Sequence, residues 1–215
     1  MLAVPGADAA VRGLGRAAMA LDGTAVTALL TEALERDGVL VTYERLMRPV
    51  LVAIGDRWSL TGQGVEVEHL LSECIAAVMR ARTVAGPTGP RLALLACADR
   101  ELHSVPLQVL GGALADLGIA SRLLGAAVPP DALTAAVRRI GPAALFVWSQ
   151  LAETGSPEQL QQLPRTRPRV TVLVGGAGWV VERLPPAVVF CPDLRSAVAR
   201  IGSATGAGGS MPPGS

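Results

Sequence analysis

Six residues, Ala85-Gly86-Pro87-Thr88-Gly89-Pro90, divide this chain more sharply than anything else in it. Proline lacks the amide that helices and sheets use, and glycine loses the most conformational freedom on ordering. Two of each in so short a span read as a linker. The sequence follows different periods on its two sides, so the fold must join two unlike parts.

Upstream the period is helical. Residues 9–20 are short and Ala-rich. Residues 22–36 carry Val26, Leu29, Leu30, Ala33 and Leu34 at the spacing of one helix face, with Asp37-Gly38 as the stop. Residues 41–58 place Leu46, Val50, Ala53 and Ile54 on one side, and Pro49 predicts a bend or a break. A turn at 59–64 leads to the strongest helix, 65–84, whose inner face is expected to carry Val65, His69, Ser72, Ala76 and Met79. Four helices with short connections predict an up-down bundle over residues 1–85.

Downstream, short apolar runs at 91–98, 120–124, 143–148, 170–174 and 187–190 alternate with helical stretches. Those stretches are 105–117, 130–140, 157–163, a short one after Gly178, and 194–201. Strands apolar throughout and separated by helices predict a doubly wound α/β domain over 86–203, with a five-stranded parallel sheet covered on both faces. Such sheets bind ligands beyond the carboxyl ends of their strands. The Gly-, Ser- and Pro-rich stretch 204–215 is expected to be a flexible tail.

Composition excludes several classes. Half the residues are hydrophobic and 17% are charged, against roughly 25% in an average soluble protein, so the chain is not disordered. A net charge of +1 gives no global attraction to DNA or anionic membrane. No run is long enough to span a bilayer and no export signal leads the chain. Cys74, Cys97 and Cys191 lie far apart in apolar runs, which is neither a disulfide framework nor a zinc spacing. A cytoplasmic protein is expected.

Chemistry concentrates at a few positions. His103 follows the first strand in Asp99-Arg100-Glu101-Leu102-His103-Ser104, on the ligand-binding edge. It reads as a metal ligand, a general base, a phosphate contact or a solvated loop histidine. Glu101 or Asp99 is placed to accept from one ring nitrogen. The other histidine, His69, follows Glu68, and the preceding turn brings Trp58 towards that pair. A core tryptophan beside a polar capping pair would look the same. Gly175-Gly176-Ala177-Gly178 follows the fourth strand and admits a close backbone approach. It is not a dinucleotide fingerprint, and Ser149 has no base beside it for a hydrolase triad.

Taken together these elements resemble the cobalamin-binding module, a helical cap followed by a Rossmann-like, flavodoxin-like domain. The family pattern D/E-x-H-x-x-G, then S-x-L, then G-G reads here as Glu101-Leu102-His103-Ser104-Val105-Pro106, Ser149-Gln150-Leu151 and Gly175-Gly176. Leu124-Gly125-Ala126-Ala127-Val128-Pro129 matches the family's L-G-x-x-x-P turn. Trp58 followed by Glu68-His69 resembles the W…EH signature of the light-sensing MerR-type regulators of the CarH/LitR group.

The resemblance implies a cofactor-binding sensor rather than an enzyme. Adenosylcobalamin is the implied cofactor, with methylcobalamin as the alternative. His103 resembles the lower axial cobalt ligand that replaces the cofactor's own base, and Glu101 its supporting partner. Ser104 and Val105 share that motif. Ser149, Leu151, Gly175 and Gly176 would line the slot for the displaced nucleotide tail. Trp58, Val65, Glu68, His69 and Ser72 would hold the upper, adenosyl side. A homo-oligomer or a protein partner would read the state out. Direct DNA binding by these residues is not expected, since no winged helix-turn-helix is present. Two rivals stand beside this reading: a corrinoid carrier for a methyltransferase, and a module that no longer binds the cofactor. Pro106, where the motif has glycine, supports the second. Ser59 departs as well, standing where some light sensors carry a histidine. All three tryptophans, Trp58, Trp148 and Trp179, fall beside these site elements.

Overall fold

The computed structural model describes residues 8–84 and 91–207. The linker expected at 85–90 lies outside the described residues, as does 208–215. The chain forms two compact units that divide between Arg82 and Thr83.

The first unit is helical throughout. Helix α1, Ala9–Met19, is capped by the Asp8 carboxylate, which accepts from the Val11 amide at 2.9 Å. Helix α2, Gly23–Thr42, is capped by Asp22 in the same way. Gly38 interrupts α2 with φ 71° and ψ 173°, which is the expected stop, but the chain resumes as a helix at once. The buried Thr42 hydroxyl spans the interruption by donating to the Ala33 carbonyl at 3.0 Å.

Pro49 sits at a break, one of the two outcomes expected of it. The backbone widens into one π-helical turn, Tyr43–Met47, and α3, Arg48–Thr61, starts with Pro49 in its first turn. A proline has no amide to give the preceding turn, and a widened turn absorbs the missing bond. Gly62, left-handed at φ 69°, closes α3 by donating to the Trp58 carbonyl at 2.7 Å.

Helix α4, Val65–Val84, corrects one expectation. Its buried stripe is Val67, Leu71, Ile75, Ala76 and Met79. Val65 and His69 are exposed and Ser72 is half-buried. Two residues along a helix turn it by about 200°, so the series starting at Val67 takes the opposite face from Val65 and His69. The larger aliphatics Leu71 and Ile75 decide which of the two faces goes inward.

The second unit is a five-stranded, all-parallel sheet in the order β2-β1-β3-β4-β5, with alternating helices. Its strands are β1 Ala93–Cys97, β2 Ser121–Gly125, β3 Ala144–Trp148, β4 Thr171–Gly175 and β5 Val188–Cys191. The helices are α5 Val105–Asp116, α6 Pro130–Ile140, α7 Glu158–Gln161 and α8 Leu194–Thr205, with a 3-10 turn at Val181–Arg183. Leu94, Ala96, Leu145, Val147 and Val174 pack on one sheet face with Leu133 and Val137 of α6. On the other face α5 and α8 lie together against the strands. Helix α8 runs past the expected boundary at 203. Gly202 stays inside it, and the left-handed Gly206, φ 80°, ends it. Strand order reverses between β1 and β3, so their carboxyl ends flank the topological switch point, where doubly wound sheets bind ligands.

Candidate functional site

Glu101 organises that edge. It is fully buried, in the loop between β1 and α5. Its Oε1 accepts from the His103 amide at 2.8 Å and lies 2.6 Å from His103 Nδ1. Its Oε2 accepts from the Thr154 hydroxyl at 2.7 Å and from the Gln150 and Leu151 amides at 2.7 and 3.1 Å. Its own carbonyl accepts from Ala127 at 2.8 Å. One residue thus ties together the loops that follow β1, β2 and β3. The L-G-x-x-x-P segment can reach it because Gly125 and Ala127 both take positive φ, 89° and 49°.

Burial alone would push the Glu101 carboxyl up. The hydrogen bonds from the His103 amide, the Thr154 hydroxyl, the Gln150 amide and the His103 ring outweigh it and bring the pKa down to about 2. Glu101 is therefore a carboxylate, and an acceptor fixes its partner: His103 Nδ1 carries the hydrogen. In the neutral ring this leaves a lone pair on Nε2. That atom has no partner among the described residues, and the His103 side chain is 52% exposed. A buried carboxylate orienting a half-exposed imidazole is the donor arrangement an axial metal ligand requires.

The surrounding loops are braced against each other. The Ser149 hydroxyl is buried and bonded to the Leu151 carbonyl at 3.1 Å and to Thr154 Oγ1 at 2.8 Å. Its carbonyl accepts from Gly178. A Cβ on Gly176, which holds φ 103°, would stand 2.0 Å from the Ser149 carbonyl oxygen, and one on Gly178 would stand 2.1 Å from Ser149 Oγ. Gly175 faces the Phe146 ring in the same way. The close approach these glycines permit is to neighbouring protein. Trp179, almost fully buried, pins the turn by donating to the Gly175 carbonyl at 3.1 Å. Leu151 is 39% exposed.

Ser104 caps α5 with its carbonyl, which accepts from Leu107 and Gln108 at 3.0 and 3.1 Å, and Val105 opens the helix. Pro106 occupies the first turn, where no amide is needed. The departure from glycine therefore leaves both the helix start and the Glu101–His103 pair intact.

In the first unit, one side of the start of α4 carries a connected set. Glu68 accepts from the Ser72 hydroxyl at 2.7 Å and lies 3.1 Å from His69 Nδ1. That nitrogen is also 2.8 Å from the Val65 carbonyl. Trp58, in the last turn of α3, is 54% exposed. The Ser59 hydroxyl is turned back onto its own helix, donating to the Gly55 carbonyl at 3.0 Å.

Residues 10–83 match the B12 binding domain family. Over 170 residues the chain is 32% identical to the HTH-type transcriptional repressor CarH of Myxococcus xanthus, an alignment covering 75% of this chain and 55% of that protein. Both matches support a CarH-like cobalamin-binding module. It spans about half the length of the curated relative it matches. The fold agrees: the monomethylamine corrinoid protein of Methanosarcina barkeri superposes with a TM-score of 0.68 at 15% identity, covering 88% of this chain and 94% of that one. No helix among the described residues is long and apolar enough to cross a membrane.

Sequence reasoning missed three contributors to this cobalamin-binding module. Thr154 and the Gln150 amide hold the second oxygen of Glu101, about fifty positions away in the chain. Gln159 is buried and locks the loop further, donating to the Thr154 and Ser156 carbonyls and accepting from the Asp99 amide. Gln150 fills the unspecified middle position of the S-x-L motif, and Thr154 and Gln159 belong to no motif. Nothing in the polar stretch around Gln159, from Ser156 to Gln162, marks it for burial.

Proposed function

We propose that the module is an adenosylcobalamin-dependent sensor that holds its cofactor with His103 as the lower axial ligand. The Glu101–His103 pair at the switch point carries this reading. Among the described residues no cluster of three or more metal-binding side chains occurs. A lone imidazole completes the shell of a metal that brings its other ligands with it, as a corrin does. Cobalt accepts an imidazole nitrogen readily, and the Glu101 carboxylate raises the basicity of the one offered.

In this reading His103 Nε2 would hold the cobalt, Glu101 fixes the tautomer, and Ser104 and Val105 set the start of α5. Ser149, Leu151, Gly175 and Gly176 shape the loops against the nucleotide tail. Trp58, Val65, Glu68, His69 and Ser72 contact the adenosyl side. Bound adenosylcobalamin supplies a photolabile cobalt–carbon bond. Trp58 and His69, both exposed, would then carry a change in cofactor state to an oligomer or partner contact. The similarity to a transcriptional repressor supports a regulatory, cytoplasmic and non-catalytic role.

The test is direct. The protein is mixed with adenosylcobalamin in the dark, desalted, and its visible spectrum recorded before and after illumination, alongside its elution volume. A retained base-off, histidine-ligated spectrum that is lost in His103→Ala, with a light-driven shift in elution, supports the sensor. Retention without a light response points to a corrinoid carrier. A wild-type protein that retains no corrinoid overturns the reading.

A further inference from the structure

Trp148, the last residue of β3, has hydrogen-bonding capacity to spare. Its Nε1 is buried and has no partner among the described residues, while the residue as a whole is only half-buried. Buried donors are rarely left unmatched, because desolvating an N–H without a new acceptor costs free energy. The backbone around it is fully engaged. The Trp148 carbonyl accepts from Ala98 at 2.8 Å, and the residue pairs in register with Cys97 of β1 and Gly175 of β4. Trp179, by contrast, has its Nε1 matched by the Gly175 carbonyl. Ser149, the residue that the S-x-L motif nominates, spends its hydroxyl on Leu151 and Thr154.

We infer that the Trp148 indole N–H is the donor that reads an acceptor on the nucleotide tail of the cobalamin, and that Ser149 is a brace for the loop. The inference rests on the proposed cofactor site and assigns this chain's tail recognition to a residue outside the motif. The donor lies on the carboxyl edge of the sheet, one position before Ser149 and beside Gly175, where that site places the tail. The tail carries phosphate and ribose oxygens and a displaced base nitrogen, all of them acceptors.

The experiment compares cobalamin with cobinamide, which has the corrin but lacks the tail. Wild-type protein and Trp148→Phe are titrated with both, and folding is checked by circular dichroism and melting temperature. The expected result is a loss of about tenfold in affinity for cobalamin with affinity for cobinamide unchanged. In parallel, 15N-indole spectra of the unmutated protein, which has three tryptophans, are recorded with each corrinoid. The Trp148 signal should move downfield with cobalamin and stay in place with cobinamide. This measurement decides the question if Trp148→Phe fails to fold. Equal losses for both ligands, no loss for either, or an indole signal that ignores bound cobalamin overturns the inference and leaves the cofactor site standing. Failure of the wild type to bind either corrinoid overturns both.

Discussion

His103 Nδ1 lies 2.6 Å from Glu101 Oε1, and that contact is one of five hydrogen bonds converging on a single buried carboxylate. Two of the five come from His103 itself and three from the loop after β3. The His103 ring and the loop are therefore held by the same charge. Removing that charge should injure both. Glu101→Gln keeps the size but turns an acceptor-only group into one whose amide nitrogen faces donors. The expected outcome is a loss of roughly 1–3 kcal/mol in urea unfolding of the cofactor-free protein, together with a drop of about 10–100-fold in cobalamin affinity.

The same carboxylate predicts an acid response. Its folded pKa is about 2, below the ordinary 4.5. A depressed carboxyl stabilises the fold fully above its unfolded value, and that contribution fades as pH falls from about 4.5 towards 2. The shift corresponds to roughly 3 kcal/mol. Unfolding free energy measured from pH 6 to pH 2 should fall through this window, and the Glu101→Gln protein should show a flatter acid limb. Equal slopes for the two proteins would contradict the assignment.

His103→Ala separates ligation from folding. The ring is half-exposed, and its loss leaves Glu101 with four of its five donors, including the His103 backbone amide. Stability should stay within about 0.5 kcal/mol of wild type, while the histidine-ligated corrin spectrum disappears. A variant that unfolds would show that the imidazole is a structural prop.

How far these features were legible in the sequence depends on the range of the contact that makes them. The central strands stood out because a parallel strand buried on both faces is an unbroken apolar run, as in Ala93–Cys97. The Glu101–His103 pair was legible because two residues separate its members. Thr154 was not, since nothing local marks the partner of an oxygen about fifty residues away. The face of α4 was misjudged for a different reason. Two apolar series run along that helix, one through Val65 and one through Val67, and only packing inside the bundle chooses between them. Pro49 marked the break between the helices, but the form that the break takes, the widened turn at Tyr43–Met47, is a backbone solution that no single residue announces.

Glycines in the two units should respond oppositely to alanine. At Gly176 a Cβ meets the Ser149 carbonyl oxygen at 2.0 Å and φ is 103°, so Gly176→Ala combines a backbone clash with a strained dihedral. A cost of about 2 kcal/mol or more is expected, with weakened cobalamin retention. Gly13 lies inside α1 with nothing within 4 Å of its Cβ direction. Gly13→Ala should raise stability by about 0.5–1 kcal/mol, the helix-propensity gain. Thermal melts of the two variants check both signs.

Trp58 offers the sharpest test of the adenosyl side. It is 54% exposed, and its carbonyl, not its ring, accepts the bond from Gly62 that closes α3. Trimming the ring should therefore leave the cofactor-free fold within about 0.5 kcal/mol of wild type. If the ring contacts the adenosyl group, Trp58→Ala should weaken adenosylcobalamin binding while leaving hydroxocobalamin, which carries no adenosyl, bound as before. Dark titrations with the two forms measure the difference directly. Equal affinities for both forms in the variant and the wild type would place Trp58 outside the upper face and leave the W…EH signature without its first member.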